Sequence, residues 1–145
     1  MSIFAPIDEK IRNEILDALG SEAVIAEPAR IAPFAKDETV GLARTPELVV
    51  EPAEAAQIQA LLRLANLRRF PVTPRGLGTG LAGGAVPFCG GVVLSMARMN
   101  RILLIDGENL LAEVEPGVRT ADLRDAARRQ GLFYPPDPAS LDKCS

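Results

Sequence analysis

Residues 74–87 read PRGLGTGLAGGAVP: five glycines with a proline at each end and Arg75 as the one charge. Counting on from Gly76, no charged side chain follows until Arg98. Three readings compete for such a stretch: a membrane span, a dinucleotide fingerprint, or a backbone cradle for an anion. The uncharged run is long enough to cross a bilayer, but Gly83, Gly84, Pro87, Gly90 and Gly91 lie inside it. In a helix each glycine costs ~1 kcal/mol and a proline ~3 kcal/mol, which removes the span. Gly78, Gly80 and Gly83 spell GxGxxG, a fingerprint that works only where its glycines open a helix whose N-terminus receives the pyrophosphate. Here another glycine, a proline and the β-rich run from Gly91 to Ser95 follow instead, so a Rossmann domain is not expected. A Walker-type loop fails because no Gly-Lys-Ser/Thr is present.

The third reading remains. Closely spaced glycines can turn successive N–H groups inward as a nest for an anion. Glycine suits the task because it tolerates positive φ and lets a ligand approach the backbone. Thr79 adds a hydroxyl, and Arg75 a cation able to pair bidentately. A wide loop that merely joins two strands stays open as the plain alternative.

Working upstream, Phe70-Pro71-Val72-Thr73 reads as a strand. Ala53 to about Arg68 reads as a helix, with Pro52 at its start where a missing amide is harmless. Leu48-Val49-Val50 reads as a buried strand, so these pieces form a βαβ unit with parallel strands. Between Glu22 and Thr45, Pro28 and Pro33 break any helix, leaving short extended pieces and loop. Pro6 to Leu19 is an amphipathic helix, with Ile7, Ile11, Ile15 and Leu19 at four-residue spacing and Gly20 as a left-handed cap. Downstream, Gly91–Ser95, Ile102–Ile105 and Leu111–Glu115 read as strands, the last two around the turn Asp106–Asn109. Thr120 is expected to cap a helix running to Gln130, with Leu123, Ala126 and Ala127 inward and Gly131 as its stop. Glu115-Pro116-Gly117-Val118 joins strand to helix and needs no function as a plain turn. Tyr134-Pro135-Pro136-Asp137-Pro138 is a rigid extended segment, open either to a partner or to a pocket wall. The fold class is α+β.

The 145 residues suffice for one domain with a real core, and 48% apolar with 24% charged residues is a globular balance. A net charge of −3 is a poor footprint for nucleic acid. Arg63, Arg68 and Arg69 cluster locally, as a solvated helix end does. The chain has no histidine, and Cys89 and Cys144 stand alone, so neither a zinc site nor a disulfide framework is expected. The N-terminal MSIFAPIDEKIRNEIL lacks the basic and apolar regions of a signal peptide.

Asp37-Glu38-Thr39, PELVVEP (46–52), the glycine loop, GGVVLSMARMNRIL, EPGV and GLFYPPDPAS occur together in an order that resembles a known family. It is the flavin-dependent oxidoreductases of the vanillyl-alcohol-oxidase type, with a PCMH-type FAD-binding domain. Within it the similarity is to glycolate oxidase flavin subunits and to D-lactate and D-2-hydroxyglutarate dehydrogenases. The resemblance implies the N-terminal portion of such a domain over residues 34–145, with 1–33 as a helical lead-in. It implies a loop wrapping the FAD pyrophosphate, supplied by Arg75, Gly76, Gly78, Thr79, Gly80 and Leu81, with Ala85 just beyond. It places Pro135, Asp137, Pro138 and Ser140 along the flavin, and Pro116 and Gly117 at the pocket from the neighbouring turn. Some relatives attach FAD through a loop histidine; Thr79 occupies that position here, so FAD is expected to be non-covalent.

The implied activity is oxidation of a small 2-hydroxy acid, hydride passing to FAD and electrons to an acceptor subunit or carrier. The implied setting is cytoplasmic, or peripheral to a membrane through partner subunits. Family members continue beyond the position of Ser145 into a second FAD segment and a substrate cap. The expectation is therefore a fragment or truncated reading frame, inactive alone and with no catalytic residue to name. The contrasting expectation is a non-catalytic module that acts only by association with other chains.

Overall fold

Asp8 starts the first helix, α1 (Glu9–Leu19), its carboxylate accepting the Ile11 N–H at 2.8 Å. The chain is described from a computed structural model covering residues 3–145; Met1 and Ser2, part of the stretch read for a signal peptide, lie outside the described residues. Pro6 and Ile7 stay outside α1, and Gly20 ends it with φ +86°, positive as expected but with an extended ψ of 151°. The next segment holds more order than its prolines suggest. A short strand β1 (Val24–Ile25) and a one-turn helix α2 (Pro28–Ile31) lead into a 3-10 turn, Ala32–Ala35. Pro28, expected to break a helix, begins one, because a first-turn residue has no intrahelical N–H bond to lose.

Strand β2 (Leu48–Val50), helix α3 (Ala55–Arg68) and strand β3 (Val72–Arg75) realise the expected unit, each of the last two starting two residues late. Ala53 stays outside α3, its N–H donating to the Gln57 side-chain oxygen at 2.7 Å. Strand β4 (Val92–Ser95) inserts between β2 and β3 and runs parallel to both, giving the order β1-β2-β4-β3 with β1 antiparallel. Strand β3 is therefore an edge, the place where Pro74 removes no needed ladder donor.

Alternate side chains of the two central strands face opposite sides. Leu48, Val50, Val92 and Leu94 pack with Ile11, Ile15 and Leu19 of α1 and Leu61 and Ala65 of α3. Val49 and Val93 pack with Ile25, Ile31 and Phe34 on the other side. Arg68 adds a two-pronged pair to Glu14 at 2.5 and 2.7 Å, joining α3 to α1.

The connection from β3 to β4 is unusual. Parallel neighbours need a return path, usually a helix, and here residues 76–91 make it with no helix at all.

Beyond the sheet, β5 (Ile102–Asp106) and β6 (Leu111–Val114) form a hairpin. Its turn is fixed by the Asp106 carboxylate accepting the Glu108 and Asn109 N–H groups, each at 3.0 Å. Helix α4 (Thr120–Arg129) buries Leu123, Ala126 and Ala127 as expected, and Gly131 follows with φ +74°. Thr120 is not its cap: Arg119 holds that position without a side-chain bond to the helix's free N–H groups. The Thr120 N–H instead donates to the Cys144 carbonyl at 2.9 Å, and its hydroxyl accepts from the Cys144 thiol at 3.2 Å. No described helix is long and apolar enough to cross a membrane.

Candidate functional site

The glycine loop leaves the sheet at the carboxyl end of β3, where ligands of open parallel sheets tend to bind. Its first half differs from its second. The N–H groups of Leu77, Gly78, Thr79, Gly80, Leu81 and Ala82 have no acceptor among the described residues. From Gly83 onward most amides are engaged: Gly83 donates to Thr39 Oγ1 at 2.7 Å, Ala85 to Asp37 Oδ2 at 3.4 Å, and Val86 to the Gly83 carbonyl at 3.1 Å, with the Gly84 N–H between them lacking an acceptor among the described residues. Glu38 contributes its own N–H to the Gly80 carbonyl at 3.1 Å. Residues 37–39 thus form a strap along the back of the loop. The strap is ordered by itself, since Asp37 Oδ1 accepts the Thr39 N–H at 2.9 Å, the turn geometry that aspartate favours.

Asp37 is buried at 7% exposure, and its hydrogen bonds, first those to Thr39, hold its carboxyl below the usual aspartate value. Arg75 turns toward the strap. Its Nη1 donates to the Lys36 carbonyl at 2.8 Å and its guanidinium lies 5.6 Å from the Phe34 ring centre. Burial lowers its pKa, and the Asp37 charge opposes that shift. The same guanidinium packs against Gly78, where φ is +75° and a Cβ would collide with Arg75 Nη2.

The C-terminal segment meets the loop. A hollow of about 410 Å³ is lined by Glu38, Thr79 and Leu81 on one side and by Ala139, Ser140, Asp142 and Lys143 on the other. Gly76 lies against Ser145, whose Oγ a Cβ at that position would strike. Three of the residues expected at a cofactor, Thr79, Leu81 and Ser140, therefore share one hollow. The tail is pinned through Cys144 to Thr120, and through Asp137, which pairs with Arg124 Nη1 at 2.5 Å. Pro135 and Asp137 are exposed, Pro138 partly buried, and none of the three lines the hollow. Gly117 sits under the segment after β4, its N–H donating to the Met99 carbonyl at 2.8 Å. Pro116 beside it is exposed. Glu115, buried at 7%, accepts from Arg101 Nε and Nη2 at 3.0 and 2.5 Å, and that pairing holds its carboxyl below the usual range.

The sequence reading did not assign the strap, Asp142 or Lys143 to the site. Asp37-x-Thr39 carries a visible turn signal, but its docking onto residues 80–85 is a long-range event with no local signature.

A family model described as an FAD binding domain matches residues 46–145. The chain is similar to the glycolate oxidase subunit GlcD of Bacillus subtilis (strain 168), 38% identical over 135 residues, covering 93% of this chain and 29% of that protein. It is similar to a D-lactate dehydrogenase of Anaerostipes hadrus, 46% identical over 107 residues, 72% of this chain and 22% of that one. Among solved structures, p-cresol methylhydroxylase with substrate bound superposes with a TM-score of 0.75 at 28% identity, over 85% of this chain and 25% of that chain. The chain thus spans less than a third of the length of each.

Proposed function

The chain belongs to the FAD binding domain family, and from that premise we propose that it forms the pyrophosphate-binding portion of a flavin-dependent oxidoreductase acting on a small 2-hydroxy acid of the glycolate or D-lactate type. The observation that carries the reading is the run of N–H groups from Leu77 to Ala82 without acceptors, at the carboxyl end of β3. A hydrogen bond to a charged oxygen contributes ~1.5–3 kcal/mol, so a few of these amides suffice for a diphosphate. The residues present fit the group: Gly78 is at a φ only glycine adopts freely, and the hollow between Thr79, Leu81 and Ser140 is open beside the loop.

In this reading Gly76, Gly78, Thr79, Gly80 and Leu81 bind the pyrophosphate without a covalent link. Arg75 and Ala85 hold the loop's shape through Lys36 and Asp37. Ser140 forms the wall opposite the loop, while Pro135, Asp137 and Pro138 of the same segment lie along the flavin outside that hollow and Pro116 and Gly117 shape the pocket from the neighbouring turn. FAD, when bound, supplies hydride acceptance and delivery of electrons to a partner acceptor. The chain's own residues bind and orient; none is assigned a proton transfer.

Titrating the purified chain with FAD while recording the visible spectrum tests this. Near-stoichiometric flavin bands are expected, with a melting temperature that rises with FAD concentration; a colourless protein whose melting FAD does not shift would overturn it. The reading as a non-catalytic associating module has one observation in its favour. A hollow of about 260 Å³ between the β5–β6 hairpin and α4 is lined by Leu110, Leu111, Leu123 and Phe133, of which Leu110 and Phe133 are 79% and 81% exposed. Sedimentation across a concentration series separates the two: association without flavin binding favours the module.

A further inference from the structure

We propose that Asp37, Glu38 and Thr39 are positioning residues for the cofactor loop: three consecutive residues clamp three alternate peptide groups and so decide which loop amides face the ligand. This rests on the FAD reading above. The clamped groups are those joining 80 to 81, through the Gly80 carbonyl and Glu38 N–H; 82 to 83, through the Gly83 N–H and Thr39 Oγ1; and 84 to 85, through the Ala85 N–H and Asp37 Oδ2. No peptide bond in the described chain is cis. In a trans peptide the carbonyl and the following N–H point in opposite directions. Drawing the Gly80 carbonyl to the strap therefore turns the Leu81 N–H away from it. Drawing the Gly83 N–H to the strap turns the Ala82 carbonyl away instead. An anion is welcomed by the first and repelled by the second, so the donor run ends before Gly83. Ala85 then acts through its bond to Asp37 rather than as a donor to the ligand.

The position of Asp37 gives the idea a sign that simple electrostatics does not share. A buried carboxylate behind an anion site repels the anion, so removing its charge ought to strengthen binding. If Asp37 is a clamp, removing the charge weakens binding, because an amide cannot accept both the Thr39 and the Ala85 N–H through equivalent oxygens.

The test uses the whole chain with two probes: FAD, and ADP, which carries the pyrophosphate without the flavin. Thr39→Val and Asp37→Asn should each weaken both probes by a similar factor, roughly tenfold for a lost hydrogen bond. Thr39→Ser, which keeps the hydroxyl, should stay within about twofold of the parent. In ligand-free protein, amide exchange should quicken at Gly83 in Thr39→Val and at Ala85 in Asp37→Asn, while β4 amides keep their protection. Unchanged FAD affinity in a Thr39→Val protein whose Gly83 exchange has quickened overturns the proposal, as does tighter binding by Asp37→Asn. If one variant loses β4 protection, it has unfolded and the other carries the test. A parent chain that binds neither FAD nor ADP is a different failure. It overturns the FAD reading, and this proposal with it, even where the exchange differences persist.

Discussion

Gly117 has no room for a side chain: a Cβ there would lie 2.8 Å from the Met99 carbonyl oxygen and closer still to that of Met96. Both obstacles are backbone, which cannot swing aside as a flexible side chain does. Gly117→Ala should therefore destabilise the chain by about 1–3 kcal/mol, read from urea unfolding. Gly78 is limited differently. Its φ of +75° and the guanidinium of Arg75 resist any substituent, yet the loop amides make no contacts on which the core depends. Gly78→Val should abolish FAD binding while the far-ultraviolet circular dichroism stays that of the parent; a variant that still binds FAD would sink the cradle reading. The glycines of the loop were legible in the sequence as backbone-permissive positions because glycine's φ freedom is a local property. The partners of Arg75 were not legible. The sequence offers a cation beside a candidate anion nest, and only folding brings Lys36, Phe34 and Asp37 around it.

Among the elements, α1 shows how far local pattern reaches. Its apolar spacing follows from a period of 3.6 residues and is where the pattern puts it. The Asp8 cap, which satisfies one orphan N–H, was not read from the sequence and starts the helix at Glu9, leaving Pro6 and Ile7 outside. Ile15, fully buried against the sheet, should cost about 2–5 kcal/mol when cut to alanine. Asp8→Ala should cost about 1 kcal/mol. Urea unfolding with unchanged m-values checks both, and an Ile15→Ala loss no larger than that of Asp8→Ala would mean that the α1 face does not carry the core. The strand order was less legible. Strand, helix, strand along the chain predicts two parallel strands but not that β4 fills the space between them, because pairing partners are chosen by burial across the sheet. Thr120 failed as a cap for a similar reason: its polar atoms are drawn to Cys144, which is distant along the chain.

On the scale of the whole molecule, carboxylates held below their usual values are spread over every region. Glu14 is lowered by its bond to Arg68, Asp37 by Thr39, Asp106 by Asn109, Glu115 by Arg101 and Asp122 by Arg119. A carboxyl whose folded pKa is depressed adds stability that is complete above its unfolded value and lost as pH falls through the folded one. With ordinary values of 4.5 for glutamate and 3.8 for aspartate, the urea midpoint should be flat above about pH 5 and fall below it. Glu115→Gln should make that fall shallower; an identical slope would remove Glu115 from the set. The helix-free return from β3 to β4 has its own consequence, in time rather than energy. A helical crossover can form its own hydrogen bonds early, whereas this one has only a few short local turns of its own and is tied down at Gly83 and Ala85 by residues 44 and 48 positions upstream. Contacts that distant in sequence close slowly. The edge strand should therefore be the last part of the sheet to arrive, with α1 and α3 already formed while residues 76–91 still search for the strap.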